Sequence, residues 1–151
     1  MTNKMRYRFG DENPRLFAVD GDTVVNIGDL LWLDTDDVKP ASALTWNTDL
    51  ATTQADFAAK FAGVAMEASP SGETEDIRVG TTGVFEFDCE AATFEVGDGV
   101  NCAKQTGNAL ENQKVVAVTS NPIGKVARRE PNNSTTVLVE IRASVVPVPA
   151  S

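Results

Sequence analysis

The residues best suited to chemistry in this chain are carboxylates. The run LDTDDVKP, residues 33–40, sets Asp34, Asp36 and Asp37 almost side by side, an oxygen-rich cluster of the kind calcium favours. It lacks the glycine and the distant glutamate of an EF-hand loop. A solvated acidic loop is the leading expectation and a cation site the alternative. A second group, Glu73, Glu75 and Asp76, lies in the polar stretch ASPSGETED. Two carboxyls across a sugar ring suffice for glycoside hydrolysis, yet in so polar a stretch solvation accounts for them. The chain contains no histidine. That removes every Ser-His-Asp and Cys-His arrangement and leaves Cys89 without a histidine base. Two cysteines alone are too few ligands for a structural zinc site. VGDGVN, residues 96–101, has neither the spacing nor the following helix of a phosphate-binding loop. No catalytic residue, metal or cofactor is therefore expected, and the chain reads as a non-enzyme.

Charge narrows the partners. Thirteen basic residues stand against 22 acidic ones, a formal net charge of −9. Such a field repels nucleic acid and anionic lipid, so neither is an expected partner. No apolar run approaches the roughly 18 residues that would suggest a membrane span. The opening MTNKMRYRFG lacks the apolar core of a signal peptide, so Cys89 and Cys102 are expected to be reduced and buried. A bridge between them stays open at this point. The charge is uneven: residues 1–15 carry four basic side chains against two acidic ones. Within that basic segment Met5, Tyr7 and Phe9 alternate with Lys4, Arg6 and Arg8, which is strand periodicity.

The elements that must position these residues are mostly short strands. Alternation and turn chemistry predict strands at 4–9, 15–19, 23–27, 29–33, 62–67, 76–79, 83–88, 93–96, 99–103, 114–118, 123–128 and 135–142. The clearest is STTVLVEIRAS, with Val137, Val139 and Ile141 on one face and Leu138, Glu140 and Arg142 on the other. Frequent turns between short strands point to a barrel or sandwich. One helix is expected in TDLATTQADFAAKFAG, residues 48–63. Thr48, Thr52 or Thr53 would cap it, and Gly63 would stop it. Leu50, Phe57, Ala58 and Phe61 would share its buried face, and it would plug one end of the barrel. Trp32 and Trp46 are expected in the core, with a ligand-stacking platform as the alternative. VVPVPAS, at the C-terminus, reads as an extended tail.

The sequence also repeats itself. VNIGDLLWLD (25–34) is echoed by FEVGDGVNCAK (94–104), and FAGVAMEA (61–68) by PIGKVARRE (122–130). The expectation is two related β units, the first enlarged by the helix, closed around a single core.

From the first Gly-Asp turn through FAGVAMEAS, SGET, IRVGTTGVFEF and the second Gly-Asp turn to IGKVARR, the order of features resembles the capsid-cement, or head-decoration, proteins of tailed bacteriophages. The resemblance covers roughly residues 15–142. It implies a mainly β fold, a compact β-tulip-like barrel or sandwich with one short helix. It also implies a homotrimer on the outer surface of the phage head, made in the host cytoplasm and bound to the major capsid protein. The family has no catalytic residues to carry over. The chain is then divided into an N-terminal arm (1–14), a β body (15–143) and a Pro-rich tail (144–151). Met5, Arg6, Tyr7, Arg8 and Phe9 are the expected capsid contacts, adding a strand to a sheet edge of the shell. The competing reading makes residues 4–9 the first strand of this protein's own sheet. The alternative function is a virion-displayed β-barrel module for a host-surface glycan or protein, with Trp32 and Trp46 as stacking residues.

Overall fold

The computed structural model describes residues 7–9, as backbone, and 14–145. The protein is mainly β, as expected, and holds one α-helix among these residues. One sheet is built from β2 (Pro14–Phe17), β3 (Leu30–Asp34), β4 (Asp37–Pro40), β5 (Phe61–Ala65) and β6 (Ile77–Gly80), in the order β2-β6-β5-β3-β4. The other contains β7 (Thr82–Phe94), β8 (Gly99–Lys104), β9 (Leu110–Val118), β10 (Gly124–Val126) and β11 (Glu130–Arg142), in the order β7-β11-β10-β8-β9. β9 returns to pair in parallel with β7 at Asp88 and Cys89, which closes a five-stranded barrel. β1 (Tyr7–Phe9) lies outside that ring, antiparallel to β7.

The two sheets are the same design used twice. Their strand orders correspond one for one. The first sheet also curls back on itself, because Ala18 bridges Asp37 in parallel and accepts a 2.9 Å bond from the Val38 N–H. The echoed Gly-Asp turns match bond for bond. Asn26 N–H donates to Asp29 Oδ2 and Glu95 N–H to Asp98 Oδ2, both at 2.9 Å. Gly28 N–H donates to Ala65 O and Gly97 N–H to Val126 O, at 2.8 and 2.9 Å. Both glycines hold a positive φ, 97° and 92°, which is why the turn needs glycine. Downstream, Leu31 faces Gly63 as Val100 faces Gly124. The echo is therefore a repeated five-stranded unit.

The two units share one large core, and the first unit encloses a second, smaller one. Phe57, Phe61, Phe85, Phe94, Leu110, Val139 and Ile141 belong to the larger cluster. Val19, Val25, Leu31, Val38, Ile77 and Val79 belong to a smaller one. β3 divides them: Leu30 and Trp32 face the larger cluster, Leu31 and Leu33 the smaller. A strand buried on both faces reads as a continuous apolar run, which is what LLWL is. Each fully buried large side chain contributes about 1.5–3 kcal/mol relative to exposure.

Local details depart from the sequence reading where tertiary pairing outweighs local signals. Residues 23–27 form no strand; only Val25 pairs, with Ser69, because turns at Asp20 and Asn26 leave no room for more. Residues 37–40 pair with β3 as a hairpin, so the acidic run is a hairpin and not a free loop. β7 runs unbroken to Phe94 and absorbs the expected start of a strand at 93. The helix, α1 (Leu50–Ala59), is capped by Asp49, whose carboxylate accepts from Thr52 N–H at 2.8 Å. It ends at Lys60, and Gly63 lies inside β5. The body also takes in Pro14, paired with Gly80, and Ser144, whose N–H donates to Phe61 O.

One buried carboxyl ties the units together. Asp29 is fully buried; its Oδ1 accepts from Gln113 Nε2 of β9 at 2.8 Å. Burial pushes its pKa above the ordinary 3.8, against the pull of the bonds from Asn26 and Gln113. A carboxyl raised on folding contributes stability that is complete below its unfolded pKa and lost as pH rises through the folded value. Wild type should therefore gain stability relative to Asp29→Asn between neutral pH and about pH 4, measured by urea unfolding at each pH. A gain in the opposite direction would show that hydrogen bonding, not burial, dominates this carboxyl.

Candidate functional site

The expected capsid contacts divide at residue 7. Met5 and Arg6 lie outside the described residues. Tyr7, Arg8 and Phe9 form β1, with Tyr7 opposite Phe85 and Phe9 opposite Val84 across a register shift. Over these three residues the chain adds a strand to its own sheet, as the competing reading had it. β1 is also terminal in that sheet: among the described residues no strand pairs with its outer edge. An open edge offers unpaired backbone donors and acceptors to another chain.

The acidic clusters are accounted for by local pairing and solvation. Asp34 forms a 2.7 Å ion pair with Lys39 across the hairpin. Asp37 sits beside Asp20; burial and that neighbouring carboxylate raise its pKa. Asp20 is held low, chiefly by the N–H of Asp22, which donates to Oδ1 at 2.8 Å. Glu73, Glu75 and Asp76 are all exposed. Among the described residues no three His, Cys, Asp or Glu side chains are placed to hold a metal ion. Cys89 and Cys102 are free and buried. Burial raises both thiols, Cys102 far above the usual thiol range, which disfavours the reactive thiolate. Among the described residues no helix is long and apolar enough to cross a membrane.

A groove of about 590 Å³ brings together residues that are far apart in sequence. Its walls come from β3, β4 and the 41–60 connection that carries α1. Both tryptophans line it. Trp32 is 6% exposed, and its Nε1–H donates to Pro40 O at 3.0 Å, which fixes the ring. Trp46 is half-buried. Lys39 and Lys60 hold their ammonium groups 5.9 and 5.6 Å from the Trp32 ring centre. Lys104, from β8, stands 5.7 Å from that of Trp46. An ammonium at this distance from an indole is attracted by its quadrupole. Asn47 Nδ2 donates to Asp56 Oδ2 at 3.0 Å on the groove's margin. Trp32 thus follows the core expectation, while Trp46 stands at a surface groove. The lysines had no signal in the sequence, since positions 39, 60 and 104 share no periodic pattern.

No protein-family model matches the chain, and no curated protein matches it in sequence.

Proposed function

We propose that this protein is a non-enzymatic decoration protein of a bacteriophage head. It binds the outer surface of the icosahedral shell, as a homotrimer, and staples neighbouring major capsid subunits against the pressure of the packaged DNA. The observation that carries this reading is the outer edge of β1, which no strand among the described residues covers, on the flank of a closed barrel. A compact body with an open terminal strand suits β-augmentation, in which backbone bonds supply affinity and alternate side chains supply specificity. Met5, Arg6, Tyr7, Arg8 and Phe9 are assigned to that contact, the arginines toward acidic groups of the shell. Many modest contacts made by a trimer gain strength through effective concentration. A ligand that binds only the assembled lattice stabilises it by linkage.

Two measurements test the reading. Sedimentation of phage particles followed by quantitative mass spectrometry should find this chain near parity with the major shell protein. Only a few copies, or none, would remove the proposal. Deleting residues 1–9 should weaken binding to undecorated heads about tenfold or more. The body should stay within about 1 kcal/mol of the full chain, because β1 belongs to neither five-stranded ring. Equal binding by the truncated chain would rule out the arm as the contact.

A further inference from the structure

The repeat shows which part of the first unit its fold does not require. Residues 119–123 suffice to join β9 to β10, whereas the equivalent β4–β5 connection spans residues 41–60. That added segment carries Trp46, Asp56 and Lys60 against Trp32 and Lys39, and so creates the groove. Three of the chain's six lysines stand over its only two indoles. Lys39 is committed to Asp34 at 2.7 Å. Among the described residues Lys60 has no carboxylate within ion-pair distance. The groove therefore offers the half-buried Trp46 indole, an ammonium at Lys60 that rests over Trp32 with no carboxylate partner among the described residues, and carboxylate oxygens at Asp34 and Asp56.

We propose that this groove binds an acidic saccharide. The pyranose packs against the Trp46 indole, its hydroxyls donate to Asp56, and its carboxylate meets Lys60. Each part answers one feature of the groove. An indole presents a flat apolar face with polar margins, which suits a sugar ring. Carboxylate acceptors call for a ligand rich in donors, which hydroxyls supply. They also repel a second anionic group, which disfavours acidic peptides, and the net charge of −9 disfavours nucleic acid. An ammonium–carboxylate contact is charge-assisted and about twice as strong as a neutral hydrogen bond. This inference does not depend on the decoration reading: a protein with or without a capsid partner can carry the groove.

The test follows tryptophan fluorescence of the full chain during titration with a tetrasaccharide containing a single glucuronic acid. The control is the same tetrasaccharide with its carboxyl reduced to an alcohol. The acid form should give a saturable change, and the reduced form should bind about tenfold more weakly. Lys60→Gln should bring the acid form down to the affinity of the reduced one and leave the reduced form unchanged. Trp46→Ala should remove binding of both while the far-ultraviolet dichroism stays native; Lys60, exposed at the end of α1, provides the variant whose folding is not at issue. Equal affinity for the two sugars, absence of saturation, an unaffected Lys60→Gln, or a diaspartate peptide binding as tightly as the acid sugar would each overturn the proposal.

Discussion

Gly63→Ala should cost about 3–5 kcal/mol of stability, combining backbone strain with overpacking. A Cβ at this position would lie 2.2 Å from the carbonyl oxygen of Gly80 and 2.9 Å from Val79 Cγ1, with φ at +133°. Neither neighbour can retreat easily, since both belong to β6, which pairs directly with β5. The second unit supplies an internal comparison. A Cβ at Gly124 would lie 2.5 Å from Glu140 O and 2.7 Å from Val139 Cγ1. Gly124 is not among the residues with positive φ. Gly124→Ala should therefore destabilise through crowding alone, by about 1–3 kcal/mol. Gly97→Ala tests the opposite case, because φ is +92° there but nothing lies within 4 Å. It should cost only the strain of a left-handed residue, about 1–2 kcal/mol. Urea unfolding of the three variants measures the ranking. If Gly63→Ala came out no worse than Gly97→Ala, the close approach of β5 and β6 would be wrong.

Phe57→Ala should cost about 3–5 kcal/mol, the range for emptying a large aromatic site in a packed core. Phe57 is fully buried, and its ring centre lies 5.6 Å from that of Phe61. A ten-residue helix is marginal by itself and depends on its packed face. Losing this ring should therefore loosen α1 as well as destabilise the body. Because α1 carries Asp56 and abuts Lys60, tryptophan emission from the groove should change in the folded variant. Leu50→Ala, at the half-buried start of the helix, should cost less. Denaturant unfolding followed by fluorescence and by far-ultraviolet dichroism checks both. A Phe57→Ala protein within about 1 kcal/mol of wild type would mean that the helix rests on the core without belonging to it.

Much of the fold was legible because its signals are local. Val137, Val139 and Ile141 fall at every second position and form a strand whose one face lines the larger core. The Gly-Asp turns announce themselves because only glycine tolerates their backbone angle and the aspartate caps the turn from within. Signals that need a partner mislead in isolation. Gly63 looks like a helix stop until β6 arrives beside it. Asp34 to Asp37 look like a solvated loop until Val38 and Pro40 pair with β3. Asp49, the true cap, competes in the sequence with Thr48, Thr52 and Thr53, since all have capping side chains and only the chain path selects one.

The mainly β character, the helix, the acidic field and the repeated phrase are all written in the chain before it folds. Each of these depends on composition or on neighbours a few residues apart. It took the folded chain to join both units in one large core, to set a smaller core in the first unit behind β3, and to bond Asp29 of one unit to Gln113 of the other. The tertiary structure alone gathered Trp32, Trp46, Lys39 and Lys60 around one groove and set Lys104 over Trp46. The physical reason is that burial and side-chain encounter depend on strand pairing across long separations, which local periodicity does not encode.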